Sequence, residues 1–384
     1  MLKTQTTKMK MIKLLISVEL LIGSLFSFGQ DNKSTTDTLP KKISFLFAGD
    51  IMGHGPQFRA AWDSTTDTYD YAPCFKFVKH IVSSADIAIA NLEVNFGGKP
   101  YSGYPTFSSP DALAGEIKNT GFDILAMANN HCYDKGKQGF ERTINLLDSL
   151  KIPHLGTYIN NQKRDSAYPM MIEKNGIKFA LLNYTYSTNG IKPDTPSFVN
   201  YIKRDQIVAD IAKADSLKAN CIIAFMHWGN EYELVPNTDQ RNLAQFLAQK
   251  GVDIIIGSHP HVVQTFELLH PDSTDSTKVV PVFYSLGNFI SNQRDRYRNG
   301  GAMFYFEVEK GKYCRIINYN YIPYWVYKGI LKGKYQYYII PLALFNPENI
   351  ILPEEDKNKL LEFSSDIKQQ FPNLKENENI KNLP

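Results

Sequence analysis

Three observations predict an α/β domain for this chain. Apolar runs of strand length alternate with stretches of helical spacing from Ile43 to Gly257. Asn175-Gly176 separates two strand-like runs, which is a strong hairpin signal and adds an antiparallel part to a largely parallel sheet. Five apolar runs also end in His, Asp, Asn or Glu, and these place five of the eight histidines at strand ends.

The elements follow in order. Ile43–Ala48 reads as a strand. Residues 72–84 carry Phe75, Val78 and Val82 at helical spacing, and Ile87–Leu92 reads as the next strand. Pro110 opens a helix to Thr120. Asp123–Ala128 is a strand, and Gly139–Leu150 a helix with Phe140, Ile144 and Leu147 on one face. Met170–Glu173 and Ile177–Thr185 form the hairpin. Ile207–Leu217, Ile222–Met226, Thr238–Lys250 and Asp253–Gly257 continue the helix–strand alternation. Past Val279 the character changes. Val279–Ser285 is a strand, and Met303–Glu309 pairs with Tyr313–Tyr319 across Lys310-Gly311-Lys312. Residues 319–345 are rich in Tyr and Pro, and 353–371 are helical with Leu360, Ile367 and Phe371 on one side. The last dozen residues are polar and read as frayed.

Residues 1–29 read as a secretory signal peptide. Lys3, Lys8, Lys10 and Lys13 precede an apolar stretch from Leu14 to Phe28, and Ser27-Phe-Gly29 supplies small residues before a cut at Gln30. The stretch is short of the ~20 residues a spanning helix needs, and Glu19 interrupts it. No cysteine lies near the cut, so lipid attachment is not expected. Residues 30–42 are a polar lead-in, 43–318 the main domain, and 319–384 a C-terminal extension packed on it. The chain has 42 Lys and Arg against 39 Asp and Glu. Four of those lysines and one glutamate fall within residues 1–29, so the remainder is neutral. Nothing recommends a nucleic-acid partner. Cys74, Cys132, Cys221 and Cys314 are far apart and form no CxxC pair; Cys132 and Cys221 read as buried thiols.

The strand-end residues carry the chemistry. Ligands bind outside the carboxyl ends of strands in open α/β sheets. Asp50 ends the first run, with His54 just beyond; Glu93 follows Ile87–Leu92; Asn130 and His131 follow Ala126–Ala128; His227 ends Ile222–Met226; His259-Pro-His261 follows Ile254–Gly257. Each has an ordinary alternative as a turn, a cap or a packing partner. The two histidines around Pro260 are harder to dismiss, because Pro biases His259 toward extended backbone and i, i+2 side chains of an extended segment share a side. Imidazole, carboxylate and amide oxygen without clustered thiolates favour Zn, Mn or Fe, as one ion or two.

At these same residues the chain resembles the CapA family of capsule and poly-γ-glutamate biosynthesis proteins. The segments are Phe47-Ala-Gly-Asp50-Ile-Met52, Ala90-Asn-Leu-Glu93, Met127-Ala-Asn-Asn-His131 with Asp134, Met226-His227-Trp-Gly-Asn-Glu231, Gly257-Ser-His259-Pro-His261 and Tyr284-Ser-Leu-Gly-Asn288-Phe289. The family in turn resembles calcineurin-like metallophosphoesterases, which implies two packed mixed β-sheets flanked by helices, a four-layer sandwich. By that resemblance Asp50 and His261 hold one metal, Asn130, His227 and His259 a second, and Glu93 bridges. His131 is the catalytic group, with Asp134 to orient it. His54 is a candidate metal or substrate contact, since the phosphoesterase Asp-x-His pattern is here Asp50-Ile-Met52. Asn91, Glu231 and Asn288 are placed behind the ligands or against substrate. Arg294, Arg296 and Arg298 read as an exposed basic loop, with contact to an anionic polymer as the alternative.

The resemblance implies an exported protein that handles poly-γ-glutamate or a similar anionic polymer or precursor, in association with membrane polymer-synthesis machinery. The chemistry is metal-activated attack of water on an amide or phosphoryl centre. Two other readings remain open: an exported metallophosphoesterase of other substrate, and a capsule-assembly component that binds polymer without turning it over.

Overall fold

The chain builds two large sheets in three passes. In the first it lays down β1 (Lys42–Ile51), β2 (Ile87–Leu92), β3 (Ile124–Ala126) and β4 (His154–Leu155), side by side and parallel. It then crosses to a second sheet made of β5 (Met170–Lys174), β6 (Ile177–Thr185), β7 (Cys221–His227), β8 (Ile254–Ser258), β9 (Phe266–Leu269) and β10 (Val280–Phe283). It returns to the first sheet with β11 (Asn288–Ile290), β12 (Gly300–Glu309), β13 (Arg315–Leu331) and β14 (Lys334–Pro341). The computed structural model describes residues 42–271, 278–309, 314–377 and 380. The expected signal peptide, and the lead-in up to residue 41, lie outside the described residues.

Among the described residues the first sheet has eight strands, in the order β14-β13-β12-β1-β2-β3-β4, with β11 beside β1. The second has six, in the order β9-β10-β8-β7-β6-β5. Both are mixed. In sheet two, β6, β7, β8 and β10 run parallel, and β5 and β9 close the edges antiparallel. This is the two-sheet sandwich that the resemblance implies.

Strand alternation explains why β1 is central. Ile43, Phe45 and Phe47 share one face and Leu46 and Ala48 the other, and all are buried. The first face meets sheet two: the Phe45 ring lies 4.8 Å from Phe179 and the Phe47 ring 5.6 Å from Phe225. The second face packs with helices α1 (Gly55–Ala61), α2 (Ala72–Phe75), α3 (Lys79–Ser84), α4 (Ala112–Thr120) and α5 (Gly136–Ser149). On the far side of sheet two, α6 (Arg204–Ser216) and α7 (Thr238–Gln249) bury Ile207, Ile211, Leu243 and Leu247. The helical spacing read over 72–84 is split between α2 and α3, yet Phe75, Val78 and Val82 all reach the core. None of these helices is long and apolar enough to cross a membrane.

The C-terminal residues complete the first sheet. The position between 318 and 319 falls inside β13, which pairs with β12 on one side and β14 on the other. The Tyr-rich stretch supplies fully buried Tyr324, Trp325 and Tyr337. Helix α8 (Glu354–Gln370) buries Leu360, Phe363 and Ile367. Within the tail read as frayed, Tyr321 exchanges backbone hydrogen bonds with Lys375 at 3.1 Å and Asn377 at 2.8 Å, and residues 378–379 and 381–384 lie outside the described residues.

One cysteine assignment is corrected. Cys132 is a buried free thiol, as is Cys74, but Cys221 is bonded to Cys314. The bond joins the start of β7 in sheet two to the residue before β13 in sheet one. Sequence spacing could not find it because the partners are 93 residues apart and meet only when the sheets pack. Cys314→Ser should lower folding stability by about 2–4 kcal/mol. Denaturant unfolding of the protein and the variant, each with and without reductant, measures it. Reductant should bring the wild type down to the variant and leave the variant unmoved; coincident curves for variant and oxidised wild type would show that the bond contributes nothing.

Candidate metal centre

The carboxyl ends of β1, β2, β3, β7 and β8 meet along one rim, where the two sheets converge. Asp50 lies in β1 and Glu93 one residue past β2; Asn130 and His131 lie in the turn after β3; His227 ends β7, and His259 and His261 follow β8. Two glycines let the backbones close. A β-carbon on Gly49 would fall 1.9 Å from the Gly287 carbonyl oxygen, and one on Gly257 1.9 Å from that of Tyr284. Any side chain there would push Asp50 or His259 off the rim.

The His-Pro-His segment differs from the extended backbone read in the sequence. His259 has φ +98° and His261 φ +58°. Positive φ is disfavoured for a residue with a β-carbon, and such strain, of order 1–3 kcal/mol per residue, persists only where the surroundings fix it. The turn still gathers both rings, whose centroids are 5.9 Å apart, with His227 4.8 Å from His259.

Two groups of ligand atoms result, and they share one carboxylate. Asp50, Glu93 and His261 form the first; Glu93, His227 and His259 form the second; within each, one potential ligand atom per residue lies within 4.8 Å of the others. Glu93 Oε1 stands 3.6 Å from His227 Nε2 and 3.7 Å from His261 Nε2. Asn130 Oδ1 lies 2.8 Å from His227 Nε2 and so belongs with the second group. Glu231, read in the sequence as lying behind the ligands or against substrate, forms a third group with His259 and His261 and brings an exposed carboxylate to the mouth.

The centre has the chemistry of a cation site. Glu93 Oε1 and His259 Nδ1 are buried with no hydrogen-bond partner. Burial, then the charges of Asp50 and Glu231, push the Glu93 carboxyl well above its ordinary value. Burial, then the neighbouring histidines, push His227 and His259 well below theirs. Buried carboxylates crowded together and neutral imidazoles with free lone pairs are costly alone. A divalent ion would satisfy both, so the residues fit one.

Supporting contacts fix the ligands. Asn91 donates to Asp50 Oδ1 at 2.7 Å and to Glu93 Oε2 at 3.2 Å. His227 Nδ1 lies 2.9 Å from the Ser258 hydroxyl, and His261 Nδ1 3.1 Å from Asp50 Oδ2. Asn288 Nδ2 donates to the His261 carbonyl at 3.2 Å and holds that turn from behind. Ser258 was missed in the sequence, although it directly precedes the His-Pro-His motif.

His131 stands beside the groups and not among them. Its Nδ1 lies 2.8 Å from Asp134 Oδ2, which also accepts the Phe107 backbone N–H at 2.8 Å. The Phe107 ring packs edge-on against His131 at 4.6 Å, and Asn189 links the imidazole to Asn130. Neither Phe107 nor Asn189 carries a sequence signal. His54 is also outside the groups. Its Nδ1 faces Gln57 Oε1 at 3.2 Å and accepts from the Asn292 N–H at 3.3 Å, and burial lowers its pKa to about 4. Met52 is buried in the apolar cluster behind sheet one and does not face the site. At the mouth, Tyr186 lies 4.6 Å from the His259 ring beside a cavity of about 360 Å³ lined by Trp228, Asn230 and Gln240.

Residues 44–293 match the family described as bacterial capsule synthesis protein PGA_cap, and the chain belongs to that family. It is 26% identical over 321 residues to PGA biosynthesis protein CapA of Bacillus subtilis (strain 168), across 77% of this chain and 76% of that protein. It is 30% identical over 264 residues to capsule biosynthesis protein CapA of Bacillus anthracis, across 66% of this chain and 61% of that protein. Among solved structures it is similar to the NAD nucleotidase of Haemophilus influenzae, with 14% identity, a TM-score of 0.48, and coverage of 86% of this chain and 57% of that one.

Because Glu93 belongs to both groups, Glu93→Gln should weaken divalent-metal binding more than any other single change. Loss of a residue that merely supports a ligand costs roughly 10–100-fold in affinity, and loss of the shared carboxylate should cost at least that. His54→Ala and the helix-surface control His80→Ala should retain metal. Elemental analysis after dialysis reads all three, and metal loss from His54→Ala equal to that from Glu93→Gln would place His54 among the ligands.

Proposed function

We propose that this chain is an exported protein of capsule-polymer metabolism that hydrolyses a bond in poly-γ-glutamate or a similar anionic polymer at a divalent-metal centre. The observation that carries the reading is the pair of acid–imidazole groups sharing buried Glu93, in a chain of the capsule synthesis family. Its relatives are named for PGA and capsule biosynthesis. Export is supported by the Cys221–Cys314 disulfide, since such bonds persist in oxidising compartments.

Asp50, Glu93, Asn130, His227, His259 and His261 would hold one or two ions of Mn, Zn or Fe. A bound divalent ion supplies Lewis acidity and lowers the pKa of water. The protein's own residues do the rest. Asp134 fixes His131 through Nδ1, which leaves Nε2 as the nitrogen that exchanges a proton with substrate. Water adds to the amide or phosphoryl centre and gives up a proton to His131 Nε2, the bond to the leaving nitrogen or oxygen breaks, and His131 delivers that proton to the leaving atom. Phe107 covers one side of the imidazole and keeps water from it. Asn91 holds the carboxylates of Asp50 and Glu93 in place.

His131→Ala should keep the fold and the metal while kcat falls about 10²–10⁴-fold, the usual contribution of a general acid–base group. Mass spectrometry of γ-linked glutamate oligomers incubated with metal-loaded protein measures turnover, and a chromogenic phosphodiester run in parallel tests the phosphoryl reading. A loaded wild-type protein that cleaves neither would leave a polymer-binding role in capsule assembly. Turnover unchanged in His131→Ala would remove His131 from the chemistry.

A further inference from the structure

Two exposed tyrosines border the rings of the metal centre. Four tyrosines are exposed among the described residues, and of these Tyr186 and Tyr232 adjoin ligand imidazoles. The rings run in series: Tyr186 lies 4.6 Å from His259, His259 5.9 Å from His261, and His261 6.2 Å from Tyr232. Single exposed apolar side chains are ordinary on a protein surface. These two differ because their backbones are tied to the turns that carry the ligands. The Tyr186 N–H donates to the His227 carbonyl at 3.1 Å, and the Tyr232 N–H to the Pro260 carbonyl at 2.8 Å.

The rings themselves are also held. Tyr186 lies nearly parallel to His227, at 13° and 6.3 Å. Arg298 sits 4.3 Å over the Tyr232 ring, and the Tyr232 hydroxyl accepts from Gln293 Nε2 at 3.3 Å. Tyr232 keeps φ at +69°, a value that residues with a β-carbon hold only when their surroundings fix it. Exposed rings fixed in this way offer a large contact area while losing little side-chain entropy on binding.

The charge around the two rings decides which part of a substrate they meet. Glu231 brings its exposed carboxylate to His259 and His261, directly before Tyr232. The cavity of about 360 Å³ beside Tyr186 is lined by Asp239, Asn230 and Asn237, and by no lysine or arginine. Arg298, the cation over Tyr232, is already paired with Asp295. A carboxylate brought against these walls is repelled, whereas an amide plane or a run of methylenes is not.

We propose that Tyr186 and Tyr232 are substrate-binding residues that stack on the uncharged backbone of an amide-linked chain and leave its carboxylates in solvent. The proposal rests on the polymer reading above and extends it to how the polymer is recognised. Tyrosine faces pack flat groups and methylenes over a large area. A chain gripped at both rings lies across His259 and His261, and one of its amide bonds then faces the centre.

Calorimetric titration of the metal-loaded, full-length protein with γ-linked hexaglutamate, and separately with the neutral sugar chain cellohexaose, tests this. Tyr186→Ala and Tyr232→Ala should each raise the Kd for hexaglutamate about 10-fold, the scale of one aromatic contact. Tyr186→Phe and Tyr232→Phe should restore wild-type affinity, because the ring and not the hydroxyl makes the contact. The control Tyr335→Ala, at an exposed tyrosine away from the ligand rings, should bind as wild type, and metal content should hold in every variant. Wild-type affinity in both alanine variants overturns the proposal and leaves the polymer reading intact. Equal losses in the phenylalanine and alanine variants overturn the stacking. Tyrosine-dependent binding of cellohexaose in preference to hexaglutamate overturns the amide assignment, and no hexaglutamate binding by the wild type overturns both proposal and polymer reading. Tyrosine-dependent hexaglutamate binding without cleavage would instead sink the hydrolytic reading and leave the two tyrosines standing.

Discussion

Glu93 is the residue on which the centre depends. Its carboxylate is fully buried between two imidazoles, and one oxygen has no protein partner. A buried, unpaired carboxylate is among the most costly groups a fold can carry. Here the cost is concentrated, because Asp50 brings a second carboxylate to the same place and Asn91 binds both. An arrangement this unfavourable alone and this well fixed by hydrogen bonds fits a divalent cation. The glutamate, longer than the aspartate usual for phosphoesterases, still places its oxygen between His227 and His261.

The scaffold exists to hold those groups at one point. Parallel strands from two sheets deliver their carboxyl ends to a common rim, as open α/β sheets generally do. The facing phenylalanines fix the distance between the sheets. Gly49 and Gly257 permit backbone approaches that no other residue allows. The positive φ values at His259 and His261 are the local strain that goes with this convergence. Strain at a binding site is sustained when packing elsewhere over-determines it, and β8, buried along its whole length, provides that packing.

Much of this was legible in the sequence, and the reason is local. The strands that carry ligands are apolar runs with a polar residue at the end, so Asp50, Glu93, His227 and His259 could be placed without knowing the partners. The elements read between Ile43 and Gly257 were found within a few residues for the same reason, whereas short ones such as α1 and β4 carried no signal. What the sequence hid depends on contacts between distant segments. Residues 319–345 could not be seen as sheet strands, because Tyr and Pro reveal no partner until β12 is in position. Cys221 and Cys314 meet only across the two sheets. Glu231 was placed behind the ligands or against substrate and not among them, because its distance from His259 and His261 is set by the turn after β7, which carries no periodic signal. His54 drew attention by its nearness to Asp50, but the cap of α1 and the Asn292 N–H turn its Nδ1 to other tasks.

The returning third pass of the chain gives the antiparallel half of sheet one a role beyond closing the core. β11 pairs with β1 beside Asp50, and its first residue, Asn288, steadies the His261 turn. The segment that follows carries Asn292 and Arg294, while β13 and β14 supply Lys328, Trp325 and Tyr337. The parallel half of the fold therefore gathers the acids and imidazoles of the centre, and the returning strand beside β1 holds one of their turns in place from behind.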